Sequence, residues 1–286
     1  MRESSLQLAD GRSLAYAEHG DRGGTPVLFF HGLPGSRLTR HPDESIAAAA
    51  GVRLFTFDRP GYGRSSAYPG RRIADWAGDV EQFAAVEELE RFAVVAWSGG
   101  APYALAVADA LRERVDRVVL VAPIAPLAGT PAARDLSPAL RRRVRIARVA
   151  PWLVSLSVAR EVRAFARDPD RALARAFADA PACDRNVLDD EPLRKMYLAS
   201  RGEAYRQGPR PVLHDALLYL RPWGFEISAV AAPVQIFHGR LDTTITEAHG
   251  LALAAALPKT ETTLVDGEGH MLCLTRWEQL LRAAVD

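Results

Sequence analysis

Cysteine and lysine are nearly missing from this chain, and their scarcity removes several classes of protein. The two cysteines, Cys183 and Cys273, lie far apart and form no CxxC pair, so neither a disulfide framework nor a structural zinc site is indicated. Lysine occurs only as Lys195 and Lys259, which leaves 34 of the 36 basic residues as arginine. With the heavy use of alanine, this reads as the coding bias of a GC-rich genome, and it lowers the information carried by any arginine cluster. Long apolar runs are absent as well. None approaches the ~18 residues of a membrane span, and the first twenty residues place charges every few positions instead of the apolar block of about 7 to 15 residues in a secretory signal. The expected location is the cytoplasm. An excess of one charge is also lacking: 36 Lys+Arg against 35 Asp+Glu give a net charge of +1. The whole chain therefore makes no case for nucleic acid or a membrane surface, and a small molecule is the expected partner. No feature favours a monomer over a homo-oligomer.

What is present is enough apolar material for a large core: 48% of the 286 residues are hydrophobic, suited to one large α/β domain or two small ones. Short apolar runs rich in Val, Leu and Phe recur at Val27 to Phe30, Arg53 to Phe57, Phe92 to Trp97, Val115 to Val121, Val234 to Phe237 and Thr262 to Val265. Runs apolar on both faces suit a buried parallel sheet. Between them lie helical patterns near Asp43 to Ala50, Ile73 to Glu90, Gly99 to Leu111, Thr246 to Ala256 and Met271 to Val285, which is βαβ winding. Ahead of these, Leu6 to Leu8 and Leu14 to Ala17 flank Asp10-Gly11, a hairpin turn signature. The predicted fold class is α/β: a mostly parallel central sheet opened by an antiparallel hairpin, with helices on both faces.

The rhythm breaks between about Ala125 and Gly224, where helical patterns and prolines (Pro131, Pro138, Pro151, Pro169, Pro192, Pro211) occur without a convincing strand. Several of these prolines suit the first turn of a helix, notably Pro169 after Asp168. The expected organisation is a core in two parts, 1–124 and 225–286, interrupted by an all-helical cap at 125–224 over the carboxyl ends of the strands. From Leu127 to Pro222 there are 18 Arg+Lys and 11 Asp+Glu, so the cap is about +7 and the remainder about −6. An anionic group on a substrate and solvated helix faces explain that excess equally well. The aromatics Trp152, Phe165, Phe177, Tyr197, Tyr219 and Trp223 either line an apolar pocket or pack the cap onto the core.

Ala96-Trp97-Ser98-Gly99-Gly100 ends an apolar strand and opens a helix rich in small residues. A serine at such a junction sits on a tight strand-to-helix turn, exposed above the sheet, and the turn needs small residues two before and two after it. Ala96 and Gly100 meet that need. The helix N-terminus adds backbone N–H groups and a positive dipole end suited to an anionic intermediate.

With this junction the sequence resembles the α/β-hydrolase superfamily, in the branch whose oxyanion loop reads His-Gly-x-Pro-Gly, here His31-Gly32-Leu33-Pro34-Gly35. Further matches are Asp58-Arg59-Pro60-Gly61-Tyr62-Gly63-Arg64-Ser65, His238-Gly239-Arg240-Leu241-Asp242 and Gly267-Glu268-Gly269-His270. They span both core parts and exclude the cap. Ala96 departs from the glycine commonest at the start of the elbow, a change smallness tolerates. The resemblance implies Ser98 as nucleophile, Asp242 as orienting acid and His270 as base, in the family's chain order, with the backbone N–H groups of Leu33 and Gly99 as oxyanion hole. Asp266 and Glu268 are rival acids, but they lie too near His270 in sequence. The acid position one strand earlier reads Pro123-Ile124-Ala125-Pro126 and holds none. Asp58, His31 and His238 are expected to be structural.

The implied activity is hydrolysis of a small to medium apolar carboxylic ester, lactone or thioester through an acyl-enzyme, with no cofactor and no metal. The same triad also serves short-peptide aminopeptidases, carbon–carbon bond hydrolases, perhydrolases and biosynthetic acyl transfer or cyclisation. A ligand receptor that keeps a slow triad is the alternative outside catalysis.

Overall fold

A computed structural model describes residues 2–286. Among them are strands β1 (Arg2–Gln7), β2 (Ser13–Gly20), β3 (Thr25–Phe30), β4 (Val52–Phe57), β5 (Phe92–Trp97), β6 (Val115–Val121), β7 (Val234–Gly239) and β8 (Thr260–Val265). They form one sheet in the order β1-β2-β4-β3-β5-β6-β7-β8, parallel from β4 through β8. β2 is antiparallel to both β1 and β4. The opening hairpin is longer than Leu6 to Leu8 and Leu14 to Ala17, because β2 is held along its other edge by β4, where Tyr16 faces Phe57 and Gly20 faces Arg53. Its turn sets Gly11 at φ +84°, the left-handed region that glycine tolerates, and the Asp10 carboxylate accepts the Arg12 N–H at 3.0 Å.

Strand alternation distributes the core between two faces. Leu28, Phe30, Val94, Ala96, Val118 and Leu120 pack with helices α2 (Trp76–Val86) and α3 (Ala101–Ala110). Val27, Phe29, Ala93, Val95, Val119 and Val121 point the other way, onto α1 (Ser45–Ala49) and the C-terminal helices. The expected single helix from Met271 to Val285 is two, Leu272–Thr275 and Trp277–Val285. The break falls at Arg276, whose guanidinium turns back to the Glu268 carboxylate at 2.8 Å.

Between β6 and β7 lie six α-helices: α4 (Pro138–Val149), α5 (Pro151–Arg167), α6 (Pro169–Ala176), α7 (Ala182–Val187), α8 (Glu191–Ala204) and α9 (Arg210–Leu218). The remaining three are α10 (Glu247–Ala256), α11 (Leu272–Thr275) and α12 (Trp277–Val285). Five cap helices begin with a proline in the first turn, where its missing N–H costs nothing. Ser137, Asp168 and Asp190 cap three of them by accepting the N–H of Leu140, Arg171 and Leu193. Cap residues join both core faces, with Leu218, Tyr219 and Trp223 on one and Val187, Leu193 and Met196 on the other. A third cluster, Val154, Val158, Phe165, Tyr205 and Val212, closes over Tyr62 and the edge of Leu33. Phe165, Tyr219 and Trp223 are therefore packing residues, whereas Trp152 is 63% exposed. No helix of the described residues is long and apolar enough to cross a membrane.

Candidate active site

Ser98 follows β5 directly and is held at φ +56°, a left-handed conformation that non-glycine residues seldom adopt. The neighbours that make this turn possible are small. A Cβ on Gly100 would lie 2.3 Å from the Phe30 carbonyl oxygen, and one on Gly32 would lie 3.3 Å from Ser98 Cβ. The loop after β3 thus closes against the serine, and Gly99 comes within van der Waals reach of Leu33, with 3.3 Å between a built Cβ and Leu33 Cβ. The strand-ending Ala96 is fully buried and accommodated.

Ser98 Oγ lies 3.1 Å from His270 Nε2, and His270 Nδ1 lies 2.6 Å from Asp242 Oδ2. Since an ionised carboxylate only accepts, Nδ1 carries the proton and the Nε2 lone pair faces Ser98. The second oxygen of Asp242 accepts the N–H groups of Thr244 at 2.8 Å and Ile245 at 3.0 Å, which fixes the carboxylate in the turn after β7. The rival acids are elsewhere: Asp266 is on the surface with Arg240, and Glu268 bonds Thr275 and Arg276.

Electrostatics follow from this geometry. Burial pushes the His270 pKa down, but the charge and hydrogen bond of Asp242, aided by Asp184, outweigh it and leave the imidazole above its ordinary value. Burial would raise Asp242, but the charge of His270 and the hydrogen bonds of His238 and His270 hold it well below the usual carboxylate range. His31 is driven far below the ordinary imidazole range by burial and by Arg59, so it is neutral. Its Nδ1 lies 2.8 Å from the Gly32 carbonyl oxygen. His238 Nε2 donates to the Ile245 carbonyl at 2.8 Å, and Asp58 binds Arg37. All three hold loops in place.

Two cap carboxylates that sequence reading left unassigned touch this site. Asp184 of α7 accepts the backbone N–H of His270 at 3.0 Å and of Met271 at 2.8 Å. Asp215 of α9 is fully buried and bonds Arg59, Arg71, Tyr62 and Tyr103. Burial alone would raise it, but Arg71 and Arg59 keep it well below the carboxylate range. Neither belongs to a motif, and the only clue was an acid inside an arginine-rich segment. Trp97 Nε1 also donates to the His270 carbonyl at 3.0 Å, and its ring lies 6.4 Å from that of Tyr197. Among the described residues no group of three or more His, Cys, Asp or Glu is placed to hold a metal ion.

Comparison with known proteins agrees with this architecture. Over 270 residues the chain is 26% identical to a protein described as an uncharacterized hydrolase, YcgS, from Bacillus subtilis (strain 168), covering 93% of this chain and 90% of the relative. A shorter match, 32% identical over 125 residues, is to a non-heme chloroperoxidase from Streptomyces lividans and covers 43% of this chain and 45% of that protein. Among solved structures, the esterase RhEst1 from Rhodococcus sp. ECU1013 superposes with a TM-score of 0.70 at 25% identity, covering 99% of this chain and 98% of that one. The family model described as alpha/beta hydrolase fold matches residues 25–276. A match that runs from β3 through α11, and takes in Ser98, Asp242 and His270, makes this chain a member of the alpha/beta hydrolase fold family.

Proposed function

We propose that this protein is a serine hydrolase that cleaves a carboxylic ester, lactone or thioester of a small to medium apolar substrate. The observation that carries the reading is the unbroken line from Ser98 Oγ through His270 to Asp242 at 3.1 and 2.6 Å. A serine hydroxyl is a poor nucleophile at neutral pH, and the neutral imidazole accepts its proton as Oγ attacks the substrate carbonyl, a contribution of roughly 10²- to 10⁴-fold. The oxyanion that forms is bound by the N–H groups of Leu33 and Gly99, each donor worth on the order of 10² to 10³ in rate. Collapse breaks the ester C–O bond, and His270 returns the proton to the leaving alkoxide. Water, deprotonated by the same imidazole, then hydrolyses the acyl-enzyme and restores Ser98. Asp242 keeps the imidazole in the required tautomer and stabilises the imidazolium.

The likeness to RhEst1, itself called an esterase, supports this substrate class. The test is turnover of p-nitrophenyl esters from acetate to decanoate by wild type and Ser98→Ala, with fluorophosphonate labelling. Turnover and labelling that both disappear in the variant are expected, with a loss in kcat on the order of 10⁶. Labelling without ester turnover would move the reading to another substrate or to a slow receptor, and absence of both would sink it. The partial likeness to a non-heme chloroperoxidase favours one second reading, perhydrolysis, in which hydrogen peroxide replaces water at the acyl-enzyme. Its mark is peroxyacid formation from acetate and hydrogen peroxide that exceeds ester hydrolysis.

A further inference from the structure

The least explained feature near the site is a buried cluster with more positive than negative charge. Arg59 and Asp215 are fully buried and Arg71 nearly so, which sets two guanidinium groups against one carboxylate. Tyr62 donates to Asp215 at 3.0 Å and Tyr103 at 2.8 Å. Taking a cation out of water is costly, so a surplus cation needs a use. Arg59 shows one. Its Nε and Nη2 lie 3.1 and 3.0 Å from Asp215 Oδ2, while Nη1 donates to the His31 carbonyl and Nη2 to the Gly32 carbonyl at 3.1 Å.

The Gly32 carbonyl belongs to the same peptide plane as the Leu33 N–H. That bond is trans, since the only cis peptide among the described residues is Leu33-Pro34, so the N–H points opposite to the carbonyl that Arg59 grips. A charged donor on the carbonyl fixes the direction of the N–H and strengthens it as a donor by polarising the amide. On the other side of the serine, the Tyr219 hydroxyl donates to the Gly99 carbonyl at 2.8 Å, in the peptide that follows the Gly99 N–H, so it anchors the position of Gly99 without polarising that N–H. It packs so closely that a Cβ on Gly99 would lie 2.5 Å from it. Asp215 is in α9 and Tyr219 is its C-terminal cap, four residues apart and so on one helix face.

We infer that Arg59 and Tyr219 are positioning residues for the two halves of the oxyanion hole, Arg59 held in place by Asp215, so that one cap helix sets the hole's geometry. This rests on the hydrolase reading above. The surplus positive charge lies one peptide away from where the substrate's negative charge develops, and it acts on the anionic intermediate more than on the neutral ester.

Tyr219→Phe removes a single hydroxyl, and Arg59→Lys keeps the charge but loses the fork that spans two carbonyls. Both are measured beside wild type for kcat and KM on the preferred p-nitrophenyl ester, and for inhibition by phenylboronic acid, whose tetrahedral adduct with Ser98 mimics the oxyanion. Tyr219→Phe is expected to lower kcat about tenfold, a fraction of what a lost donor costs. KM should stay within about twofold and boronate affinity should fall in parallel with kcat. Arg59→Lys is expected to lose more of both. A folded Tyr219→Phe protein with unchanged kcat and boronate affinity, or with a raised KM and intact kcat, overturns the proposal even if Arg59→Lys fails to fold. Wild type that neither turns over ester nor binds boronate removes the hydrolase reading itself, an outcome distinct from variants that match an active wild type.

Discussion

Asp184, on a cap helix, accepts the backbone N–H of His270 at 3.0 Å, so the loop that carries the imidazole is tied to the cap as well as to the core. The approach is close: a Cβ on Gly269 would fall 2.4 Å from the Asp184 carboxylate.

Asp184→Ala would strand the N–H groups of His270 and Met271. Each unsatisfied donor costs about 1–3 kcal/mol, and a destabilisation of roughly 2–4 kcal/mol is expected in urea unfolding. Ester turnover should fall as well, because His270 loses its anchor. Asp184→Asn keeps one acceptor and is expected to lie between wild type and the alanine variant. Equal stability of all three would show that water replaces the carboxylate.

Asp242→Asn preserves the shape of the acid but leaves His270 without a charged acceptor. A fall in kcat on the order of 10⁴ is expected from the wrong tautomer, read from initial rates on the preferred p-nitrophenyl ester. A fall of less than tenfold would point to another acid.

As the proposed base, His270 must be neutral, and its pKa is raised, because Asp242 and Asp184 outweigh burial. The rising limb of kcat/KM against pH is therefore expected above the free imidazole value of about 6.5. The linked effect on folding has a fixed sign. A raised folded pKa contributes stability that is full below the unfolded pKa and lost as pH rises through the folded one. Wild type should thus lose a little stability across neutral pH, and His270→Ala should lack that slope. A limb below the free value would contradict the geometry.

Gly63→Ala tests the loop after β4. Gly63 sits at φ +47°, and a Cβ there would lie 2.1 Å from an oxygen of the buried Asp58 carboxylate. That carboxylate binds the Arg37 guanidinium at 2.6 Å and accepts the Arg64 N–H at 3.0 Å. Steric conflict plus a disturbed buried ion pair is expected to cost at least ~3 kcal/mol, measured by urea unfolding. A cost below about 1 kcal/mol would mean that the loop moves aside freely.

What the sequence determined by itself were the features whose causes are local. β5 and β6 follow from the short Val-rich runs Phe92 to Trp97 and Val115 to Val121, and the helices between β6 and β7 from first-turn prolines such as Pro169 after Asp168. The turn at Ser98 needs only a strand, a helix and small neighbours, and it was legible as Ala96 to Gly100. The meeting of Asp242 and His270 at 2.6 Å could be expected only through motifs with a known chain order, because 28 residues separate the two. Tertiary structure decided the rest. No local pattern marks Asp184 or Asp215: their partners lie 86 and 156 residues away, at His270 and Arg59. A buried carboxylate is stable only where N–H or guanidinium donors surround it, and which donors arrive depends on how the cap packs against the core. The same packing separated Phe165, Tyr219 and Trp223, which fill the interface, from Trp152, which does not, although all four look alike in sequence.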